Sequence, residues 1–329
     1  MNRVYTVIAP KPLGPTPCSE SPSRGPGVRS GHRCCVAPRA APGGRGFGAL
    51  ARIPSAVAGL ALLIAAAAPA AACPDEFPLE GRIAAVDERL DVTLADGRLI
   101  SIAGLERPRA TPAAPDRPAA TRAWVSQWLV GLPIALRPLS VEPDRWGRLP
   151  VRARVEGPEA EPDSAPVDLA AALLARGLAR FRPAAALGDC RVALLGAEGA
   201  ARAQDLGLWA DPVYAVLRGA GKAAFLDRTG ETVVVEGRVT RVGEARFRAY
   251  LNFGPIRGQD FAVTILKRNQ ATFDKAGLPL RALGGKWIRV RGPLETRFGP
   301  QIEIASPEEL EIIDAPGAAS ANRGQQPAR

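Results

Sequence analysis

The sequence predicts a β-rich protein with helices, built as two OB-like five-stranded barrels in series, the first closed by α-helices. Three observations predict it: the chain length, the spacing of short apolar strands, and an order of three strands, a helix and two strands that occurs twice. With 329 residues the chain is long enough for two domains, at about 100–200 residues each. Its composition, 47% hydrophobic but 5% aromatic, gives aliphatic cores.

The first barrel is expected within 73–212. Its strands are read at Leu79–Val86, Leu90–Ala95, Arg98–Gly104, Pro133–Leu139 and Leu149–Val155. Asp96-Gly97 between the second and third is a hairpin signal. A helix over Ala119–Val130 places Ala123, Trp124, Trp128 and Leu129 on one apolar face. Two further helices are expected at Val167–Ala179 and Val192–Leu206, separated by Pro183 and Gly188-Asp189. Five short strands with helices inserted and appended outline an OB-fold.

A linker over 213–220 leads to the second barrel, 221–313. Here Thr232–Arg241, Arg246–Phe253 and Phe261–Leu266 read as strands, Asn269–Ala276 as a helix, and Lys286–Arg291 and Gln301–Ala305 as the closing strands. The tail, 314–329, is rich in Ala, Gly, Gln and Pro and is expected to be disordered.

Charge is unevenly placed. The whole chain carries +10, which on its own suggests a polyanionic partner. Residues 1–72 hold eight bases and one acid, so +7 of that total lies there. Residues 1–44 are rich in Pro, Gly, Arg and Ser and lack apolar periodicity, which marks a disordered extension or a mis-assigned start. In 45–72, Arg45 and Arg52 precede an apolar run from Ala56 to Ala68 that ends in small residues, the pattern of a secretory signal peptide cleaved before Cys73. An exported protein, periplasmic or secreted, with no retained membrane span is the expectation. A retained anchor and lipidation of Cys73 are the alternatives.

Removing 1–72 also removes the single histidine, His32, and Cys18, Cys34 and Cys35. What remains excludes a Ser-His-Asp triad, a histidine zinc site and a Cys-His dyad. Cys73 and Cys190 are left as a candidate disulfide in an oxidising compartment, with a free Cys190 beside a lipidated or frayed Cys73 as the alternative.

Several segments carry a resemblance in the same order. They are Asp96-Gly97, Ile100-Ser-Ile-Ala-Gly-Leu-Glu-Arg-Pro-Arg109, the helix around Trp124, Asp144-Arg-Trp-Gly-Arg148, Leu173-Leu-Ala-Arg-Gly-Leu-Ala179 and Gly207-Leu-Trp209. Together they resemble the thermonuclease-like family. The resemblance implies calcium-assisted phosphodiester hydrolysis, with carboxylates holding a hard cation, a carboxylate base and two arginines on the phosphorane. In this sequence the first metal-ligand position falls on Arg89, with Asp87, Glu88 and Asp91 as nearby acids. The first clamping arginine falls on Ser101 and the second metal ligand on Glu106. The base falls on Arg109, a reversal of charge, and the second clamping arginine on Arg148.

Only Arg148 keeps its role intact, with Glu106 as a conservative change, so both are candidate vestigial catalytic residues. No metal is expected; Glu106, Asp87 and Asp91 are its ligands, and calcium the cofactor, if the site is active. Without activity, Arg148 reads as a turn ion pair with Asp144, and Glu106 as a loop carboxylate.

The second barrel carries 15 bases against 11 acids, whereas 79–210 carries 17 of each. Tyr250-Leu-Asn-Phe-Gly254 with Asp260-Phe261 is similar to an OB module found beside thermonuclease-like domains. Arg246, Arg248, Tyr250, Arg289 and Arg291 are its candidate nucleic-acid-binding residues, because single-strand binding combines cations with exposed aromatics. Strand parity puts Phe247 and Phe253 in the core and Tyr250 on the charged face.

Three functions follow. The favoured one is an exported, catalytically impaired thermonuclease-like protein with a binding or scaffolding role, its partner single-stranded nucleic acid or another polyanion. The others are a weak calcium-dependent phosphodiesterase acting on DNA or RNA, and a module binding envelope proteins.

Overall fold

A computed structural model of the chain describes residues 73–157, 165–188, 190–220, 225, 227–256 and 258–315. The extension and signal segment expected over 1–72, and the tail beyond 315, lie outside the described residues.

The first half is a closed barrel. Strands β1 (Leu79–Val86), β2 (Val92–Leu94) and β3 (Leu99–Ile102) form an antiparallel meander, with the β2–β3 turn at Asp96-Gly97. Gly97 takes φ 87° there, and the Asp96 carboxylate accepts the Arg98 N–H. After the two-residue β4 (Leu105–Glu106) and helix α1 (Arg117–Leu129) come β5 (Pro133–Pro138) and β6 (Arg148–Val155). β5 pairs antiparallel with β1 and β6, and β6 closes the ring by running parallel to β3. Alternation along β6 sends Val151, Ala153 and Val155 into a core with Ile83, Leu94, Ile100 and Leu136.

On α1 the buried positions are Thr121, Val125 and Leu129. Trp124, expected on the core face, is turned outward; it packs edge-on against Trp128 on the helix surface. The apolar face is rotated by one residue, about 100° on a helix, so that Val125 enters the barrel core and Trp124 stays at the surface against Trp128.

The chain continues through β7 (Val167–Asp168), α2 (Leu169–Ala175), β8 (Arg180–Phe181) and α3 (Cys190–Ala203). Asp168 caps α2 by accepting the Ala171 N–H at 3.0 Å. Beyond α2, Gly177 (φ 63°) packs directly on Gly207 (φ 57°), and the Leu208 N–H donates to the Gly177 carbonyl at 2.9 Å. A Cβ on Gly177 would lie 2.1 Å from the Leu206 oxygen. Leu173-Leu-Ala-Arg-Gly-Leu-Ala179 and Gly207-Leu-Trp209 are therefore two sides of one contact. Cys73 and Cys190 form a disulfide with a Cα separation of 4.6 Å, spanning 117 residues.

The second half repeats the pairing scheme without closing it. Segment 213–220 is built into the fold: Tyr214 is buried, and β9 (Leu217–Arg218) pairs parallel with β10 (Thr232–Arg238). β11 (Arg241–Glu244), β12 (Arg248–Asn252) and β13 (Ala262–Leu266) form a second meander, followed by α4 (Lys267–Lys275), β14 (Trp287–Pro293), β15 (Gln301–Ile304) and β16 (Leu310–Ile313). The sequence reads Thr232–Arg241 as one strand; it divides at Val239-Thr240, so that β10 and β11 serve different sheets. One sheet runs β16-β14-β10-β9 and the other β11-β12-β13-β15, with β13 and β15 parallel as β3 and β6 are. Between β14 and β15 the sheets meet at an isolated bridge, Glu295 with Gln301. Val235, Leu251, Val263, Ile265, Ile288 and Ile302 fill the space between them.

Phe253 is buried as strand parity requires, but Phe247 is 67% exposed. It precedes β12 in a turn, where period-2 alternation does not operate.

Polar contacts, buried at Arg291–Glu198 and partly buried elsewhere, fasten the halves together. Arg291 of β14, 3% exposed, donates to the Phe181 carbonyl and to Glu198 of α3, 1% exposed. Arg180 reaches the Thr232 carbonyl at 2.8 Å, Arg191 the Leu310 carbonyl at 2.8 Å, and Arg109 the Glu231 carboxylate at 2.6 Å. Among the described residues no helix is long and apolar enough to cross a membrane.

Candidate functional site

A cleft of about 990 Å³ opens between the barrel wall at β3 and β6 and the second-half strands β10 and β14. Its floor is outward-facing: Ser101 alternates with core residues Ile100 and Ile102, and Pro150 with Leu149 and Val151. Charge dominates the rim.

The β1–β2 turn supplies Arg89 and Asp91. Asp87 organises this turn by accepting the N–H groups of Arg89 and Asp91 at 2.8 and 2.9 Å, so its carboxylate faces the turn instead of the cleft. Leu90 takes φ 63°, a conformation costing about 1–2 kcal/mol for a residue with a Cβ. Burial of its side chain in the barrel core offsets that cost.

Arg148 begins β6 with its guanidinium fully engaged. Nε and Nη2 donate to Asp144 at 2.9 and 2.7 Å, and Nη1 to Asp91 at 3.0 Å. Burial holds the Asp91 carboxyl above its ordinary pKa, outweighing the pull of Arg148. The hydrogen bond from Arg148 holds Asp144 below its own. Glu106 meets Arg180 in a two-pronged pair at 2.7 and 3.1 Å. Glu309, the third lining carboxylate, accepts the N–H groups of Ala305 and Ser306 at 2.7 and 2.9 Å. Every carboxylate that lines the cleft among the described residues thus has a partner.

The arginines divide differently. Arg109, Arg148 and Arg291 are paired, but Arg89, Arg107 and Arg182 line the cleft with no side-chain partner among the described residues. All three are exposed. Guanidiniums in this state offer forked donors to anionic oxygens. A hard dication needs several free oxygen ligands, which this set does not present, and among the described residues no group of three or more His, Cys, Asp or Glu is placed to hold a metal. The residues present do not fit a calcium ion.

Arg148, Glu106, Asp91, Arg89 and Arg109 are brought together here. Arg107 and Arg182 were not singled out from the sequence, although both stand in Arg-Pro dipeptides. Proline holds the preceding residue extended, and both arginines directly follow the paired strands β4 and β8, whose register sets Glu106 against Arg180.

The second-half candidates are not brought together. Arg291 is the buried clamp onto Glu198, and Arg289 is held by Glu236 and Glu311 at 2.6 and 3.0 Å. Arg248 and Tyr250 lie on β12 in the other sheet, where Arg248 pairs with Glu303 at 2.7 Å. Arg246 is exposed in the turn, its guanidinium 4.9 Å from the Phe247 ring centre. No protein-family model matches the chain, and neither does any curated protein.

Proposed function

We propose that this is an exported, thermonuclease-like protein that binds a polyanion in its arginine-lined cleft and does not hydrolyse it, with the second half an OB-like module that completes the cleft. One observation carries the reading: among the described residues, Arg89, Arg107 and Arg182 have no side-chain partner in a cleft whose lining carboxylates, Asp91, Glu106 and Glu309, are all engaged. An oxyanion entering such a site replaces water around three cations and displaces no ion pair. Catalysis at the same place would need the carboxylates free. Arg109, at the position the resemblance gives to the base, is bound to Glu231 and cannot accept a proton.

The repeated strand pairing supports reading both halves as OB-like. Helices α1 and α2, packed on the barrel core through Val125, Leu129, Leu173 and Leu174, support the helix-closed, thermonuclease-like reading of the first. The Cys73–Cys190 bridge supports export, since such bonds persist in oxidising compartments.

The test is titration of the full chain with an abasic single-stranded oligonucleotide over a range of salt concentrations. Binding is expected to weaken as salt rises, and Arg107→Ala and Arg182→Ala are each expected to reduce the log–log slope by about 0.7. A salt-independent signal, or slopes unchanged by both substitutions, removes the reading. Chelator-sensitive hydrolysis of single-stranded DNA, abolished by Arg148→Ala, would establish the calcium-dependent phosphodiesterase instead.

A further inference from the structure

The outward face of β5 and β6 carries three arginines that take no part in the cleft. Register sets Arg137 of β5 directly opposite Arg152 of β6, and Arg154 stands two residues further along the same face. Core residues Leu136, Val151, Ala153 and Val155 alternate with them. Like charges directly opposite each other across an antiparallel pair are destabilising. Asp168, which pairs with Arg152 at 3.0 Å, is the one acid on β5, β6 and β7, so these strands answer three cations with a single carboxylate.

Segment 73–78 lies across this face and supplies what is missing. Asp75 pairs with Arg154, the Glu76 carbonyl accepts from Arg137 at 3.2 Å with the Glu76 carboxylate at 3.7 Å, and the Pro74 carbonyl accepts from Arg152 at 2.6 Å. The Phe77 ring centre lies 5.2 Å from the Arg152 guanidinium and 4.8 Å from that of Arg154. The fit is incomplete, because Arg154 Nε is buried with no hydrogen-bond partner among the described residues; such a donor favours an occupant that brings it an oxygen. The contacts are also weak. The Asp75 and Glu76 side chains are 74% and 90% exposed, and ion pairs so exposed contribute little against the entropy of ordering the segment. What fixes it is its first residue, Cys73, bonded to Cys190.

We propose that the β5–β6 face is a docking site for an acidic, aromatic-bearing segment of a partner protein, that segment 73–78 is the resident stand-in for it, and that the Cys73–Cys190 bridge is the latch. A dithiol opens the latch. One thiolate attacks Sγ of Cys73, which is half-buried where Cys190 is 3% exposed; a mixed disulfide forms, and Cys190 leaves as a thiolate that takes up a proton. The second thiol then displaces Cys73, and the reagent departs as a disulfide, having given two electrons to the bridge. The strap, still joined to β1 at Leu79, exchanges with the partner's segment, whose carboxylates meet Arg137 and Arg154 and whose ring replaces Phe77. None of the three arginines lines the cleft, so this site stands apart from the polyanion reading.

The test uses the full chain with Cys73→Ser, which removes the latch and leaves the Cys190 thiol in place. Two hexapeptides, Cys-Pro-Asp-Glu-Phe-Pro and Cys-Pro-Lys-Lys-Phe-Pro, are each supplied as a mixed disulfide with thionitrobenzoate. Cys190 attacks the sulfur of the docked peptide, thionitrobenzoate leaves, and mass spectrometry of the digested chain reads the rate at Cys190. The acidic peptide is expected to react about 10-fold faster, the effect of two exposed charge contacts. Adding Arg137→Ala and Arg154→Ala should bring the two rates together, and so should high salt on the unsubstituted face. Equal rates at low salt, or a preference that survives both the arginine substitutions and high salt, overturn the docking site. A melting curve accompanies each variant; a Cys73→Ser chain unfolded at the assay temperature would make the bridge a staple for the barrel and overturn the latch.

Discussion

The two halves share a pairing scheme and differ in what they do with their charges. The first half has equal numbers of acids and bases over 79–210, yet it contributes Arg89, Arg107 and Arg182, which line the cleft with no side-chain partner among the described residues. The second half has an excess of four bases over 221–313, yet Arg289 and Arg291, two of its candidate residues, are engaged internally by Glu198, Glu236 and Glu311. If the cleft is the anion site, as proposed, net charge points to the other half. What matters is whether a carboxylate stands within reach, and that depends on register and packing.

The largest test of this contrast is Arg291→Ala. It leaves Glu198, 1% exposed, without its cation, while Glu311 keeps Arg289, and removing one partner of a buried ion pair costs about 3–5 kcal/mol; urea denaturation reads the loss. A cost below about 1 kcal/mol would mean that these charges do not hold the halves together. Reducing Cys73–Cys190 acts on the first half and should cost about 4 kcal/mol, given the length of loop it closes. A melting curve with and without reductant measures it, and an unchanged midpoint would show that the bridge contributes nothing.

Next comes the pH dependence of one carboxylate from each half, where the signs oppose. Glu231 is held below its ordinary pKa: burial raises it, but hydrogen bonds from Arg228 and Arg109 outweigh burial. Its contribution is present above the ordinary carboxylate pKa and disappears as pH falls through the depressed value, so wild type should lose its advantage over Glu231→Gln on acidification. Asp91 is held above its ordinary pKa by burial. Its contribution is complete at low pH and lost as pH rises through the raised value, so wild type should lose ground to Asp91→Asn on alkalinisation. Chemical denaturation at several pH values measures both differences, and slopes of the same sign would break the comparison. The smallest effect is expected from Arg107→Ala: an exposed, unpaired side chain should change stability by no more than about 0.5 kcal/mol, while binding of the abasic strand weakens.

How much of this was legible follows the distance over which each contact acts. The Asp96-Gly97 turn, the Asp144–Arg148 pair and the strand order of the first half were readable because each depends on neighbours or on local periodicity. The β10–β11 division, the rotation of α1 that exposes Trp124, and the turn that exposes Phe247 were not, because tertiary packing decides them. Glu106–Arg180 and Glu198–Arg291 join residues 74 and 93 positions apart. A sequence lists such charges without indicating which of them cancel, so Arg107 and Arg182 could not be recognised as the arginines left over.

The disulfide also links the entry of the first barrel to the seam between the halves. Cys190 opens α3, and Glu198, two turns further along the same helix, receives Arg291. Cys73 lies 117 residues before Cys190 and just ahead of β1. Reduction would therefore loosen one end of the helix on which the second half is fastened, without touching the Glu198–Arg291 pair itself.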